Sequence, residues 1–136
     1  MNAVDTNILI YVHDPRDRRK QEIASSLIVS LFDGVLLWQV ACEYIAASRK
    51  LGPFGYKWEQ AWDDLRKLQM IWPTALPTLV VIDKAEILMK RNHLSFWDAM
   101  VVAACLSIGV KRLYSEDFDA YTIIEDMELV NPFKNH

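Results

Sequence analysis

The chain opens with N-A-V-D-T-N-I-L-I-Y-V at residues 2–12, and the fold is inferred from this stretch. Asn2-Ala3-Val4 predicts a short strand that stops at Asp5, and the apolar residues from Ile8 to Val12 predict a turn of helix. A strand that leads straight into a helix is the first part of a βαβ unit. Chains built from such units form a parallel sheet covered by helices.

The rest of the chain continues this alternation. Apolar residues spaced by three and four predict helices over residues 16–32, 39–50, 56–70, 79–91 and 95–108. Gly34 is expected to end the first of these helices and Gly109 the last.

Short apolar runs predict strands at residues 35–38 and 112–114, with further edge strands at 122–125 and 127–130. Prolines at 73 and 77 predict an extended or looped segment over residues 71–78. We therefore expect an α/β fold in a single domain spanning residues 1–136. Its central parallel sheet would have four to five short strands flanked by helices.

The composition excludes several classes of protein. The 136 residues are 52% hydrophobic and 24% charged, which suits a globular core and argues against disorder. The net charge of -3 supplies no broad positive field, so a classical basic nucleic-acid-binding protein is not the first expectation. Cys42 and Cys105 lie in apolar helical patterns and predict buried free thiols rather than a disulfide or a zinc site.

Other features narrow the location and the chemistry. The first residues carry no signal-peptide pattern, and the longest apolar run, at residues 99–106, is far shorter than the ~20 residues of a membrane helix. We expect a soluble cytoplasmic protein. His13, His93 and His136 show no metal-ligand spacing, so neither a zinc site nor a histidine-catalysed mechanism is favoured.

Four acids fall where the predicted elements meet. Asp5 and Asp117 follow the strands at residues 2–4 and 112–114, Glu43 lies early in the helix after the second strand, and Asp98 starts the last helix. The carboxyl ends of parallel strands share one edge of a sheet, so these acids can converge. Converging carboxylates need a cation, and Mg²⁺ or Mn²⁺ prefers oxygen ligands. The pattern suggests metal-assisted hydrolysis of a phosphodiester.

Each acid also has an ordinary structural explanation. Asp5 is suited to cap the following helix, and Asp98 lies three residues after Ser95, a variant of the capping-box spacing. Glu43 would be a solvated position, although its neighbours are unusually apolar, and Asp117 would be a turn residue. The shared placement at strand ends favours a functional site.

The sequence around these acids resembles the PIN-domain family, especially its VapC-like toxin ribonucleases. V-D-T-N-I-L-I at residues 4–10 resembles the opening of the family, and C-E-Y-I-A-A-S-R-K at 42–50 its second acidic motif. S-F-W-D-A-M at 95–100 and L-Y-S-E-D-F at 113–118 resemble the third and fourth motifs, and V-N-P-F at 130–133 the common ending. The resemblance covers nearly the whole chain, although residues 51–78 carry no recognisable motif.

The resemblance implies roles for these residues. Asp5 and Asp98 would be the principal Mg²⁺ or Mn²⁺ ligands, and Asp117 would complete the cluster or bind a second ion. Glu43 would bind metal or position the attacking water. Glu116 and Asp119 are alternatives to Asp117, which motif spacing favours. The side chains expected to orient the carboxylates are those of Thr6, Asn7 and Ser115.

The resemblance also implies a function. The chain would be a divalent-metal-dependent endoribonuclease that hydrolyses RNA phosphodiester bonds, as the toxin of a type II toxin–antitoxin pair. It would form a homodimer and bind a small cognate antitoxin protein. One alternative is a catalytically inactive PIN-like module that binds RNA or protein. Another is a receiver-like phosphoacceptor domain, although the chain does not clearly supply the acidic pair and late lysine of that fold.

Basic and aromatic residues are the candidates for RNA contacts. Arg16 and Arg19 belong to a dense basic cluster, and Arg49 lies beyond Glu43, so each is positioned to meet RNA phosphates or simply to be solvated. The five tryptophans could stack on bases, although Trp58 and Trp62, four residues apart, favour core or a dimer face. Without the four acids, 15 basic side chains face 14 acidic ones, so the remaining net charge is +1.

Overall fold

The computed structural model describes residues 1–134, and His136 therefore lies outside the described residues. The strands are β1 (Asn2–Val4), β2 (Gly34–Leu37), β3 (Thr74–Ala75), β4 (Arg112–Tyr114), β5 (Ile123–Ile124) and β6 (Met127–Val130). The helices are α1 (Thr6–Tyr11), α2 (Arg18–Ser30), α3 (Trp38–Ser48), α4 (Trp58–Ile71), α5 (Leu79–Asn92) and α6 (Phe96–Ser107). A 3₁₀ segment, Arg49–Phe54, follows α3.

The strand predicted at residues 2–4 is β1, and it lies in the middle of the sheet. It pairs in parallel with β2 on one side and β4 on the other, so that Ala3 lies opposite Val35 and Leu113. The full strand order is β3-β2-β1-β4-β6-β5, and only the β5–β6 pair is antiparallel. The mostly parallel sheet flanked by helices confirms the α/β fold class.

The sheet nevertheless differs from the prediction in two details. It has six strands within residues 1–134, because β3 forms inside the segment predicted to be extended or looped. A two-residue strand leaves no periodicity in a sequence, so only its pairing with β2 reveals it. The second detail is β6, predicted as an edge strand, which lies between β4 and β5.

The long helices occur where they are predicted, with shifts of a few residues at their ends. The predicted helix over 16–32 is α2, which begins after Asp17 because the Asp17 side chain accepts a hydrogen bond from the Lys20 N–H. The helix ends at Ser30, so Gly34 does not terminate it and instead begins β2. Gly109 follows α6 with a positive φ of 76°, as a helix-ending glycine does.

The two cysteines differ in exposure. Cys105 is buried on α6, and burial raises the pKa of its thiol. Cys42 is exposed, so its predicted burial is wrong. The buried face of α3 is carried by Val40, Ala41 and Tyr44, which turns the Cys42 position outward. No helix within residues 1–134 combines the length and apolar character required to cross a membrane.

The sheet packs closely against Trp72, which is 2% exposed and among the largest fully buried side chains. Its indole N–H donates to the Leu31 carbonyl at 3.3 Å and its ring covers Gly34. A Cβ added at Gly34 would overlap the indole ring atoms, whereas one added at Gly52 would meet no atom within 4 Å. The absence of a side chain at Gly34 therefore lets Trp72 reach the sheet.

We predict that Gly34→Ala lowers the free energy of unfolding by about 1–3 kcal/mol, because the extra methyl group forces Trp72 or β2 to shift. Urea unfolding monitored by tryptophan fluorescence measures the change. Gly52→Ala is the matched control and should change stability far less. Equal stability of the two variants would show that Trp72 does not depend on the missing Cβ.

Candidate active site

The side chains of Asp5 and Ser115 meet at the carboxyl ends of β1 and β4. Asp5 caps α1, with its Oδ1 accepting from the Thr6 N–H at 2.8 Å, and its own N–H donates to the Tyr114 carbonyl at 2.9 Å. Ser115 Oγ donates to Asp5 Oδ2 at 2.8 Å. The capping explanation of Asp5 is therefore correct, but the second carboxylate oxygen is held by another strand.

Ser115 also holds the neighbouring acid. Its Oγ accepts from the Asp117 N–H at 3.1 Å and from Asn7 Nδ2 at 3.3 Å. Asn7 Nδ2 donates to Asp117 Oδ2 as well, at 3.0 Å. The hydroxyl of Ser115 thus links the ends of two strands and one helix, which sets the relative positions of Asp5 and Asp117.

Of the three acids in the loop that follows β4, Asp117 is the one that is hydrogen-bonded to Ser115 and Asn7. Glu116 accepts from the Tyr11 hydroxyl at 2.6 Å and pairs with Lys20 at 2.9 Å. Asp119 pairs with Lys134 at 3.2 Å. Both alternatives to Asp117 are therefore engaged in other contacts.

Glu43 is held from two directions. Its Oε1 accepts from the Thr6 hydroxyl at 3.0 Å and from Gln39 Nε2 at 3.4 Å. Gln39 Nε2 also donates to the Trp97 carbonyl at 3.3 Å, which connects α3 to the start of α6. Gln39 was not among the predicted site residues, although it lies four residues before Glu43 on the same helix, a spacing that places the two side chains side by side.

Asp98 lies in the first turn of α6, where the Ser95 hydroxyl accepts from the Asp98 N–H at 3.4 Å. Half of the predicted capping box is therefore present, since no hydrogen bond joins the Ser95 N–H to the Asp98 carboxylate. The charge of the half-buried Asp98 carboxylate contributes to raising the pKa of Asp117.

Burial and neighbouring charges raise the pKa values of Asp5 and Asp117. Burial raises the pKa of Asp5 to about 6, and the charges of Asp117 and Glu43 add to the shift, while hydrogen bonds from Ser115 and Thr6 oppose it. Partial burial and then the charge of Asp98 raise the pKa of Asp117. Such mutual repulsion is relieved by a proton or by a bound cation.

The donor set fits a hard divalent cation that retains most of its own water. Within residues 1–134, no group of three His, Cys, Asp or Glu side chains is close enough to hold a metal ion by itself. Mg²⁺ is commonly bound through one or two carboxylates and several waters, which requires no such group. Asn7 Oδ1 is buried here without a hydrogen-bond partner, and an ordered water of a hydrated ion would satisfy it.

The three arginines that are predicted to contact RNA differ in the contacts they make within the protein. Arg16 forms two hydrogen bonds at 2.9 Å with Asp14, and Arg19 donates to the Phe133 carbonyl at 2.7 Å. Arg49 is exposed and takes part in no ion pair among residues 1–134. Arg49 is thus the one of the three without a competing carboxylate or carbonyl in that part of the chain.

Comparisons with known proteins identify the family and the fold of the chain. The sequence model described as "PIN domain" matches residues 3–125. No curated protein matches the sequence significantly. Fifteen solved chains match in structure, and three of them illustrate the likeness.

One is from a toxin–antitoxin complex of Klebsiella pneumoniae, with a TM-score of 0.71 and 16% identity over 97% of this chain and 98% of that one. A second is VapC20 of Mycobacterium tuberculosis, described as a sarcin-ricin loop cleaving toxin, with a TM-score of 0.68 and 18% identity over 94% and 99% of the two chains. A third is from VapBC-1 of nontypeable Haemophilus influenzae, with a TM-score of 0.64 and 20% identity over 98% of each chain.

The raised pKa of Asp5 makes stability depend on pH. An unfolded Asp has a pKa of about 3.9, so between pH 4 and 6 the folded chain holds a proton that the unfolded chain has lost. We predict that lowering the pH from 7.5 to 4.5 without metal adds about 1–2 kcal/mol to stability through Asp5. Urea unfolding of wild type and Asp5→Asn at both pH values isolates this contribution.

Asp83→Asn is the matched control, because Asp83 is exposed on α5. Its pH dependence should equal that of wild type, whereas Asp5→Asn should lack the contribution described. Other groups change stability in the opposite direction, including Asp14, whose pKa is lowered by Arg16. The difference between the two proteins is therefore the relevant quantity, and identical pH dependence would contradict the prediction.

Proposed function

Because the chain belongs to the PIN domain family, we propose that it is a divalent-metal-dependent endoribonuclease and the toxin of a type II toxin–antitoxin pair. The observation that carries this proposal is the convergence of Asp5, Asp117 and Glu43 at one edge of the sheet, where hydrogen bonds from Ser115, Asn7 and Thr6 hold them. Natural proteins keep such repulsive groups together mainly where a cation or a reaction uses them. As a ribonuclease toxin the chain would act on RNA in the cytoplasm.

Asp5, Asp98 and Asp117 would hold Mg²⁺ or Mn²⁺, one or two of them directly and the others through waters of the ion, since carboxylates offer the oxygen ligands that these ions prefer. A bound ion of this kind lowers the pKa of water and stabilises the charge that develops on a phosphodiester. Ser115 and Asn7 would keep Asp5 and Asp117 in place through the hydrogen bonds they share.

Glu43 would orient the attacking water and accept its proton. Thr6 and Gln39 both donate to Oε1, and no side chain or backbone group of residues 1–134 donates to Oε2. The oxygen Oε2 is therefore available to accept a hydrogen bond from water. With Oε1 held by α1 and by its own helix, Glu43 would stay in one orientation during the reaction.

Two exposed apolar surfaces would serve the protein partners. Phe32 and Met70, near the ends of α2 and α4, expose 94% and 86% of their surface, and we propose that a small antitoxin covers them. Leu79 and Val80, in the first turn of α5, expose 78% and 66%. An exposed apolar helix start of this kind suits the self-complementary contact of a homodimer. Arg49, with Arg16 and Arg19, would contact RNA phosphates.

We predict that the purified protein cleaves structured RNA with Mg²⁺ or Mn²⁺ and that EDTA abolishes cleavage. Asp98→Asn should slow cleavage by about 100-fold or more, because losing one metal-binding charge removes several kcal/mol of transition-state stabilisation. Initial rates over a broad panel of RNAs measure this.

Asp83→Asn, on the exposed face of α5, is the control and should cleave like wild type. If wild type cleaves no RNA better than Asp98→Asn does, the enzymatic function is wrong. The chain would then be a PIN-fold module that binds RNA or protein without catalysis.

We predict that expression of the wild-type chain arrests the growth of a bacterial host and that Asp5→Ala abolishes the arrest, because the buried carboxylate is needed to hold the ion. Growth curves at matched protein levels, checked by immunoblotting, measure the effect. Persistent arrest by Asp5→Ala would show that toxicity does not depend on this site. A housekeeping nuclease would cleave RNA in vitro without arresting growth.

A further inference from the structure

Two exposed tryptophans flank the carboxylates, and the proposed chemistry uses neither. Trp38 is the first residue of α3 and exposes 48% of its surface. Trp97 immediately precedes Asp98 in α6 and exposes 61%. Leaving an indole in water forgoes the free energy of burying a large apolar ring. Two such rings beside the acids therefore suggest a ligand that covers them.

Both indoles line one apolar cleft, which we call the tryptophan cleft and define by Trp38, Leu76, Pro77, Trp97 and Met100. Its volume is about 70 Å³, and none of its lining side chains in the described part of the chain is charged. A cleft of this size has room for part of a planar ring and not for a helix of another protein. The occupant is therefore expected to be flat and largely apolar on its faces.

The tryptophan cleft is physically connected to the acids. Gln39, which also lines the cleft, donates through Nε2 both to the Trp97 carbonyl at 3.3 Å and to Glu43 Oε1 at 3.4 Å. The Trp97 ring is supported by Phe96, whose ring meets it edge to face with centroids 4.9 Å apart. A ligand lying on Trp97 would therefore be adjacent to the group that orients the attacking water.

We propose that the tryptophan cleft binds an unpaired nucleobase of the RNA next to the phosphodiester bond that is hydrolysed, an inference that rests on the ribonuclease function proposed above. Every base has a flat π face, and stacking on an aromatic side chain tolerates any sequence. The base must be unpaired, because bases inside an RNA duplex do not offer their faces. Trp38 and Trp97 are then substrate-positioning residues.

Stacking would also attract RNA to an edge of the sheet where the acids repel its phosphates. The acids repel RNA phosphates, and the tryptophan cleft has no basic side chain to offset that repulsion. Attraction through the base faces does not depend on charge. A second copy of the chain is the competing occupant, and Leu79 and Val80 on α5, which are 78% and 66% exposed, offer it an aliphatic surface that does not line the cleft.

The test compares two fluorescein-labelled RNA oligomers of equal length and charge, oligo-adenylate and an abasic ribose-phosphate chain. Fluorescence anisotropy in EDTA measures binding without cleavage, and the repulsion by the acids is common to both probes. Wild type should bind oligo-adenylate at least about fivefold more tightly than the abasic chain. Trp97→Leu and Trp38→Leu should reduce this preference toward onefold, and Trp97→Phe should retain most of it.

Trp58→Leu is the matched control, because Trp58 is 51% exposed but does not line the tryptophan cleft. It should keep the preference of wild type, and circular dichroism should show that all variants are folded. Equal binding of both oligomers by a wild type that cleaves RNA with Mn²⁺ overturns the base-binding proposal and leaves the ribonuclease function standing. A wild type that neither binds nor cleaves RNA overturns both.

Light scattering tests the competing occupant. If Trp97→Leu converts a dimer into a monomer and leaves the preference for oligo-adenylate unchanged, a second copy covers the tryptophan cleft and the proposal is wrong. An unchanged oligomeric state together with a lost preference supports the proposal. Cleavage kinetics of the same variants should then show a raised KM for single-stranded substrates, while Trp58→Leu keeps that of wild type.

Discussion

The buried carboxylate of Asp5 is the constraint on which the rest of the site depends. It lies at the end of the central strand, 6% exposed, in a position where an ionised group is costly. Two hydrogen bonds, from the Thr6 N–H and the Ser115 hydroxyl, offset part of that cost. Both donors are present because α1 starts directly after β1 and because β4 pairs in parallel with β1. The start of α1 and the pairing of β1 with β4 thus build the fold and also position the two donors that hold the Asp5 carboxylate.

Several features of the site lower the stability of the folded protein. The charges of Asp117 and Glu43 help to raise the pKa of Asp5, and that of Asp98 helps to raise the pKa of Asp117. Asn7 leaves a buried oxygen without a hydrogen-bond partner among residues 1–134. Natural sequences usually break the rules of satisfied polar groups and separated charges at functional positions. Away from the acids, the buried Trp72 indole N–H has a partner in the Leu31 carbonyl, whereas the buried Trp62 indole N–H has none among residues 1–134. A divalent cation with its waters would relieve the repulsion between the acids.

The sequence predicts most of the fold because hydrophobic periodicity reports burial directly. Periodicity predicts β1 and the five longer helices. The acids that follow strands are then located from the ends of those elements. Periodicity fails for β3, which has two residues, and for the position of β6, which depends on pairing with β4. It also fails for Cys42, which lies among apolar neighbours and is nevertheless exposed, because which face of α3 is buried depends on what packs against it.

By itself, the sequence determined the class of fold and which acids lie at strand ends and helix starts, because strand ends, helix starts and residue types are local properties. Only the tertiary structure decided which hydroxyl holds which carboxylate, that Glu116 and Asp119 have other partners, and that Gln39 joins Glu43 to Trp97. The physical reason is that hydrogen bonds and charge coupling act over a few ångströms. Residues 5 and 115 are 110 positions apart in the chain, and the pairing of β1 with β4 brings them into contact.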